Sequence, residues 1–188
     1  MKTKDFLKKH SACADGAKWA LSVSNDMAEV WDALIKQERY VWLIWALTRP
    51  GVFPESVLRK MACKFIRQTP LADGRKVWDL LIDERSRKAV EVTKLYADGK
   101  ATYGELQAAR AAAYDAAYAA RGTAYDARAA AYAAGYDARA SVYAAARDAV
   151  YAAVDASNAA DAARDAANSA QVRMIAELGN PFKERAGR

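Results

Sequence analysis

The chain has 188 residues, with 29 basic side chains, 23 acidic ones and a net charge of +6 at neutral pH. This length permits one domain of ordinary size, or a small core with an extended appendage. The positive excess is modest and mostly scattered, so charge by itself does not indicate a nucleic-acid partner.

Cysteine and histidine usage argues against a metal site. Cys13 and Cys63 lie far apart without a CxxC spacing, and His10 is the only histidine. These ligands cannot close a zinc site. We therefore expect no metal, no cofactor and two reduced, mostly buried thiols, as is usual in the cytoplasm.

The composition of the chain changes abruptly near Gly104. All five tryptophans lie before this residue, whereas alanine dominates after it. Residues 1–103 carry 19 basic and 13 acidic side chains, and residues 104–188 carry ten of each. We therefore predict a Trp-rich basic helical head over residues 1–103, an Ala-rich repeat helix over 104–179 and a basic flexible tail over 180–188.

The head is predicted to be a set of short helices around a tryptophan-rich core. Apolar residues recur at helical spacing over residues 27–35 and 57–66, the second with Arg59 facing out. The run 41–47 is apolar on every side, so we expect it to be the buried central helix. Arg49-Pro50-Gly51 should end it, and it is too short to cross a membrane.

A dense cluster of charged residues surrounds Trp78. Asp79 and Asp83 lie four residues apart, and paired carboxylates on one helical face can bind a divalent metal or share a proton. Nearby arginines can instead form ion pairs with them. Because no phosphate loop, nucleophile elbow or HExxH motif is present, we predict no enzyme activity. The cluster is a candidate head surface: Arg75, Trp78, Asp79, Asp83, Arg85 and Arg87.

An eleven-residue repeat runs through the second half of the chain. Tyr-Asp pairs begin at positions 114, 125 and 136, and Arg147-Asp148 continues the step. Eleven residues fill three turns of an α-helix almost without drift, so the repeat predicts one long helix through at least Val154, ending near Gly179. Two glycines interrupt the tract, but the tyrosines stay in phase across both.

Along such a helix the tyrosines would form a stripe. Arginines would lie on one flank, aspartates on the other, solvent-facing flank, and alanines on the remaining face. The stripe and its arginines are a candidate interface: Tyr114, Tyr118, Tyr125, Tyr132, Tyr136, Tyr143, Arg110, Arg121, Arg128 and Arg139.

The alanine face should not remain exposed, because a lone Ala-rich helix buries little apolar area. We therefore predict an all-α protein whose hendecad-repeat helix is packed as a bundle or an oligomer, with self-association as the leading form. The alternative is a helical hairpin that folds back and covers its own alanine face.

The segment from Pro70 to Leu106 contains PLADGRKVWDLL, followed by DERSR, YADG and GEL before the Ala-rich tract. In these motifs the chain resembles a family of largely uncharacterised phage and bacterial proteins, some of them labelled immunity proteins. The resemblance covers most of the chain and implies an accessory protein of a phage or mobile element. It carries over no catalytic residues.

Three classes of function remain open. We predict a non-enzymatic protein-binding protein, an inhibitor of a host defence factor or an immunity protein against a toxin, because Tyr and Arg are enriched at interface hot spots. The alternative is a nucleic-acid or nucleotide-binding protein, in which tyrosines stack on bases and arginines meet phosphates. The third is a structural, self-assembling helical rod. Each class fits a cytoplasmic protein, in the host cytoplasm if phage-encoded, without membrane contact.

Overall fold

The computed structural model describes residues 1–119, 125–135 and 137–183, and these ranges are helical without strands, which confirms the predicted all-α class. None of the helices in these ranges is both long and apolar enough to cross a membrane. In chain order the helices are α1 (Thr3–Lys9), α2 (Ala14–Val23), α3 (Met27–Lys36), α4 (Tyr40–Leu47), α5 (Glu55–Gln68), α6 (Val77–Leu80), α7 (Glu84–Ala97), α8 (Tyr103–Ala119), α9 (Tyr125–Ala133), α10 (Ala138–Asp155) and α11 (Ala160–Ala176).

Caps and apolar spacing explain the two amphipathic helices predicted in the head. Asp26 accepts a hydrogen bond from the backbone N–H of Ala28 at 3.0 Å, which satisfies a free donor at the start of α3. Helix α5 begins after Pro54 and turns its apolar stripe into the core. The buried residues of that stripe are Leu58, Met61, Ala62, Phe65 and Ile66.

Helix α4 is buried on one side only. Leu43 and Leu47 lie in the core, but Val41 is 69% exposed and Trp42 and Trp45 are half-buried. The prediction of a buried central helix is therefore wrong for this side of α4. The reason is that both tryptophans line a pocket that is open to solvent.

The tract after Gly104 folds back on itself, so the prediction of one long helix is wrong. The centroids of the Tyr114 and Tyr132 rings lie 5.8 Å apart, whereas a straight helix would separate these residues by about 27 Å. The rings of Tyr125 and Tyr151 lie 5.1 Å apart in the same way. Folding back places the alanine faces against other helices, which supplies the burial that a lone rod lacks.

Close packing at Gly135 explains one of these reversals. A Cβ atom at this position would lie 2.6 Å from Oγ of Ser141 and 2.9 Å from the carbonyl oxygen of Tyr132, so only glycine fits. Helix α10 begins shortly afterwards. The carboxylate of Asp137 caps it by accepting hydrogen bonds of 2.8 and 3.0 Å from backbone N–H groups of its first turn.

Arg59 of α5 stabilises the same turn from the other half of the chain. Its Nη1 donates a hydrogen bond of 2.7 Å to the carbonyl oxygen of Gly135, and its guanidinium lies 5.2 Å from the ring centroid of Tyr96. A cation is favourable there because the last carbonyls of a helix lack intrahelical partners. Arg59 is only 2% exposed, so its predicted place on the outer face is wrong.

Both halves of the chain contribute to one hydrophobic core. Phe6, Trp31 and Phe65 of the head share a buried cluster with Val142 and Ile175 of the Ala-rich tract. A smaller buried cluster, mostly of alanines, joins α7, α8 and α9. Its members are Ala89, Val92, Leu106, Ala109, Ala113, Ala131 and Ala134. These alanines are buried by other helices of the same chain, so their burial does not require a second copy. Self-association stays a prediction.

The first residues of the predicted flexible tail are docked on the head. Phe182 is buried, and its ring lies edge-on to Phe6 and Trp31 at 5.3 and 5.9 Å. Asn180 donates to the Ala28 carbonyl oxygen at 2.8 Å. The prediction of a flexible segment is therefore wrong for residues 180–183, because an apolar ring there completes the core. Residues 184–188 lie outside the described ranges.

Candidate interaction groove

An open groove of about 670 Å³ lies between the end of α4 and residues of α9 and α10. Arg139, Tyr143 and Arg147 stand at four-residue steps on α10, so one face of this helix carries all three. We call the site the arginine groove and define it by its lining residues: Thr48, Arg49, Pro50, Tyr132, Arg139, Ala140, Tyr143, Ala144 and Arg147.

Arg49 supplies the unbalanced charge of the arginine groove. Its Nε donates to the Trp45 carbonyl oxygen at 2.9 Å and its Nη2 donates to Thr48 Oγ1 at 3.1 Å, which hold the guanidinium in place. Burial and the positive charge of Arg139 both lower the pKa of Arg49. Among the residues that the structure describes, no carboxylate lies within ion-pair distance of Arg49.

The other two arginines of the groove have carboxylate partners within the chain. Arg139 pairs with Asp137 at 3.1 Å, and Arg147 pairs with Asp148 at 2.7 Å, a hydrogen bond that raises the pKa of Arg147. Asp148 also lies 3.6 Å from Nε of Arg128. Because Asp148 is fully buried, its predicted place on a solvent-facing flank is wrong. These pairs orient the guanidinium groups and leave a small net positive charge.

The predicted interface residues do not form a straight stripe, because the chain reverses between them. Tyr132, Arg139 and Tyr143 line the groove. Tyr114 packs edge-on to Tyr132 and carries Arg110 at 4.9 Å from its ring centroid. Five of the ten residues are thus in the groove or next to it.

The other five predicted interface residues are divided. Arg128 lies 5.2 Å from the ring centroid of Tyr125 and also near Tyr132, at 6.0 Å. Tyr118 is 90% exposed and does not line the groove. Arg121 and Tyr136 lie outside the described residues.

A second pocket of about 280 Å³ continues the arginine groove along α10, since Tyr143 and Arg147 line both. It adds Tyr151, Arg164 and the half-buried Tyr40. Sequence reasoning placed none of these three at a site, and it treated Arg49 only as part of a helix stop. The four-residue steps along α10 were visible in the sequence, but nothing local indicates that α4 and α11 meet them.

The candidate head surface consists of local ion pairs and helix caps. Asp79 belongs to α6 and accepts a hydrogen bond from the Lys76 backbone N–H at 2.8 Å. Asp83 caps α7 and pairs with Arg85 at 2.7 Å, which lowers the pKa of Asp83 to about 2. The expected pair of carboxylates on one helical face is therefore wrong, because α6 ends at Leu80, between them.

The remaining residues of this surface are also paired. Arg75 forms an ion pair with Asp73 at 2.7 Å. The guanidinium carbons of Arg67 and Arg87 lie 4.3 and 5.8 Å from the ring centroid of Trp78. Across the part of the chain that the structure describes, no group of three or more acidic, His or Cys side chains is arranged to hold a metal ion.

The arginine groove is therefore the candidate functional site, whereas the charged residues of the head surface pair with nearby residues. The resemblance carried by residues 70–106 stays an expectation drawn from the sequence. Protein-family models, curated proteins and solved structures contain no match to this chain.

Proposed function

We propose that this protein is a non-enzymatic recognition protein that binds an acidic segment of a protein partner in the arginine groove. The observation that carries the proposal is the position of Arg49. Its guanidinium lines the groove together with Arg139, whose positive charge lowers the pKa of Arg49, and none of the ion pairs among the described residues includes Arg49. A carboxylate of the partner would supply the missing negative charge through charge-assisted hydrogen bonds.

The tyrosines of the groove fit a protein partner. Tyr143 is 50% exposed beside Arg139 and Arg147, so an incoming side chain can cover its ring while the arginines meet acidic groups. Tyr and Arg are the side chains that most often carry binding energy at protein interfaces. A host defence protein or a toxin is the class of partner that the family resemblance implies.

The ion pairs of the groove weigh against a nucleic-acid partner. Nucleic-acid binding draws its affinity mainly from arginines and lysines that neutralise phosphates. In the groove, Asp137 and Asp148 already balance two of the three arginines. The observation that favours the alternative is the presence of tyrosine rings beside arginines, which is the arrangement that stacks bases and meets phosphates.

Two probes of equal charge distinguish these partners. We would measure binding of a fluorescent poly-glutamate peptide and of a fluorescent oligothymidylate by anisotropy at several salt concentrations. We expect the peptide to bind more tightly, with a shallow dependence on salt. Tighter binding of the oligonucleotide with a steep salt dependence would establish the alternative, because counterion release makes phosphate binding strongly salt-dependent.

Matched variants locate the binding in the groove. Ala140 is exposed and lines the groove, so Ala140→Glu should weaken peptide binding and Ala140→Lys should strengthen it, each by about three- to tenfold. Arg49→Gln should weaken it by about tenfold. Arg75→Gln, on the head surface, is the control and should have no effect. If neither probe binds, or if all variants bind alike, the proposed function is wrong.

A further inference from the structure

A half-enclosed pocket of about 290 Å³ lies between α1, α2, α3 and α4, and its lining runs along α4 from Val41 to Ala46. Its walls are mostly apolar, with Ser11 and Cys13 among the few polar lining residues. Three tryptophans, Trp19, Trp42 and Trp45, form much of the lining, together with Met27 and Leu34. The arginine groove shares no lining residue with this pocket, but the two sites are neighbours. Arg49 of the groove lies 5.0 Å from the Trp45 ring centroid, and Val41 lines both this pocket and the pocket that continues the groove.

The pocket is shaped by close packing of α2 on α4. A Cβ atom at Gly16 would lie 3.4 Å from Nε1 of Trp42, at van der Waals contact, and 3.1 Å from Sγ of Cys13, which caps the same helix, so the backbone of α2 lies close to the indole. The rings of Trp19 and Trp42 lie 5.2 Å apart between centroids. The aromatic wall is therefore formed where α2 packs on α4.

The volume sets the size of the occupant. An apolar cavity of about 150 Å³ takes up one benzene molecule. A pocket of about 290 Å³ is therefore large enough for an apolar body of roughly twice that size, such as a two-ring system or a medium-length alkyl chain. Its burial would be favourable because it removes both the ligand and the exposed indole surfaces from water.

A cation lies against the aromatic wall. The guanidinium carbon of Arg39 is 5.7 Å from the ring centroid of Trp19 and 5.6 Å from that of Trp42. Arg39 is exposed, and no ion pair to it occurs among the described residues. Stacking on two rings restricts the guanidinium, so less of its conformational freedom is lost when it binds an anion.

We propose that this tryptophan pocket binds a small amphipathic acid, with the apolar body of the ligand between the indoles and its carboxylate paired with Arg39. A medium-chain fatty acid or a two-ring aromatic acid has this chemistry. The alkyl chain or rings provide the affinity through burial, and the arginine selects an acid over an amine of the same length.

Intrinsic tryptophan fluorescence provides a direct test with three probes of one length: decanoate, decanol and decylamine. Because three of the five tryptophans line the pocket, we expect a saturable change in emission with decanoate at the lowest concentration. Arg39→Gln should weaken decanoate binding by about three- to tenfold and leave decanol unchanged. Equal affinity for all three probes, or no saturable change, would overturn the proposal.

Two substitutions of opposite charge at Val41 test the position of the ligand's carboxylate without disturbing the core. Val41 is 69% exposed and lines the pocket, so substitutions there should leave the fold intact. Val41→Asp should weaken decanoate binding and favour decylamine, whereas Val41→Lys should do the opposite. If the two variants have the same preference as the natural protein, the ligand head does not lie at this end of the pocket and the proposal is wrong.

Cys13 gives a second readout. This thiol is exposed and lines the pocket, so the prediction of a buried thiol is wrong for Cys13. Cys63 is buried, and burial raises the pKa of its thiol to about 12. A disulfide reagent should therefore modify Cys13 alone in the folded protein. Decanoate should slow that modification at the concentrations that change the fluorescence. An unchanged rate at saturation would place decanoate elsewhere and refute the assignment of the site.

Discussion

Replacing Gln171 with leucine would test whether a buried hydrogen-bond network joins the two halves of the chain. The side-chain amide of Gln171 is fully buried on α11. Its Oε1 accepts a hydrogen bond from the Tyr40 hydroxyl at 2.8 Å, and its Nε2 donates to Thr69 Oγ1 at 3.1 Å and to the Ala146 carbonyl oxygen at 3.0 Å. One side chain thus connects α4, the end of α5, α10 and α11.

The expected loss of stability follows from these three bonds. A hydrogen bond within a protein contributes about 0.5–1.5 kcal/mol net. Leucine is close to glutamine in size but leaves the hydroxyls of Tyr40 and Thr69 without this partner. Burial, with a smaller effect from Tyr143, raises the pKa of Tyr40, so its hydroxyl keeps the proton that it donates. We expect Gln171→Leu to lower the free energy of unfolding by about 3 kcal/mol.

A double-mutant cycle read out by urea unfolding would isolate the contact with Tyr40. Tyr40→Phe alone should cost about 1 kcal/mol, because Oε1 of Gln171 loses its donor. The double variant should lose less unfolding free energy than the two single variants together, and the difference, which is the coupling energy, should be about 1 kcal/mol. Additive losses, or a loss below about 1 kcal/mol for Gln171→Leu, would refute the network as a source of stability.

Two further predictions concern the core and the reversal of the chain. The folded-state pKa of Cys63 is raised to about 12 from an ordinary value of 9.0, so its contribution to stability is full below pH 9 and is lost as the pH rises towards 12. The stability difference between the natural protein and Cys63→Ala should therefore begin to fall near pH 9 and keep falling as the pH rises towards 12, and a constant difference over that range would contradict the burial of this thiol. Gly135→Ala should destabilise by about 1–3 kcal/mol in urea unfolding, because the new Cβ meets Ser141 and the Tyr132 carbonyl. Within a continuous helix the same change would stabilise the protein by about 1 kcal/mol, so a gain in stability would support the continuous helix and contradict the reversal. Gly104→Ala is the control, because the nearest atom to a Cβ there is 3.9 Å away.

The parts of the site that lie on one helix could be predicted from the sequence. Arg139 and Tyr143 were selected by their spacing, and both line the arginine groove. Arg49 could not be selected in this way, because it comes from the other half of the chain and reaches α10 only through tertiary packing. The tryptophan pocket was hidden for a similar reason. The apolar run at α4 suggested a buried helix, whereas packing left Val41 and one side of Trp42 at an opening.

Local physics was enough to determine the helical class. Helix propensity and apolar spacing act over a few residues, so the alanine-rich composition and the stripes of α3 and α5 specify helices wherever these segments lie in the fold. The same locality explains the error in the second half. An eleven-residue repeat looks alike in one long helix and in shorter helices that fold back, because each segment keeps its own period.

Only the tertiary structure decided between a rod and a folded-back tract. The reversal at Gly135 depends on its close approach to Ser141 and on the hydrogen bond that Arg59 makes from α5. The eleven-residue period of the sequence does not predict either contact. The sequence therefore determined that the chain is helical and which faces are apolar, and long-range packing determined where the helices turn and which arginines meet.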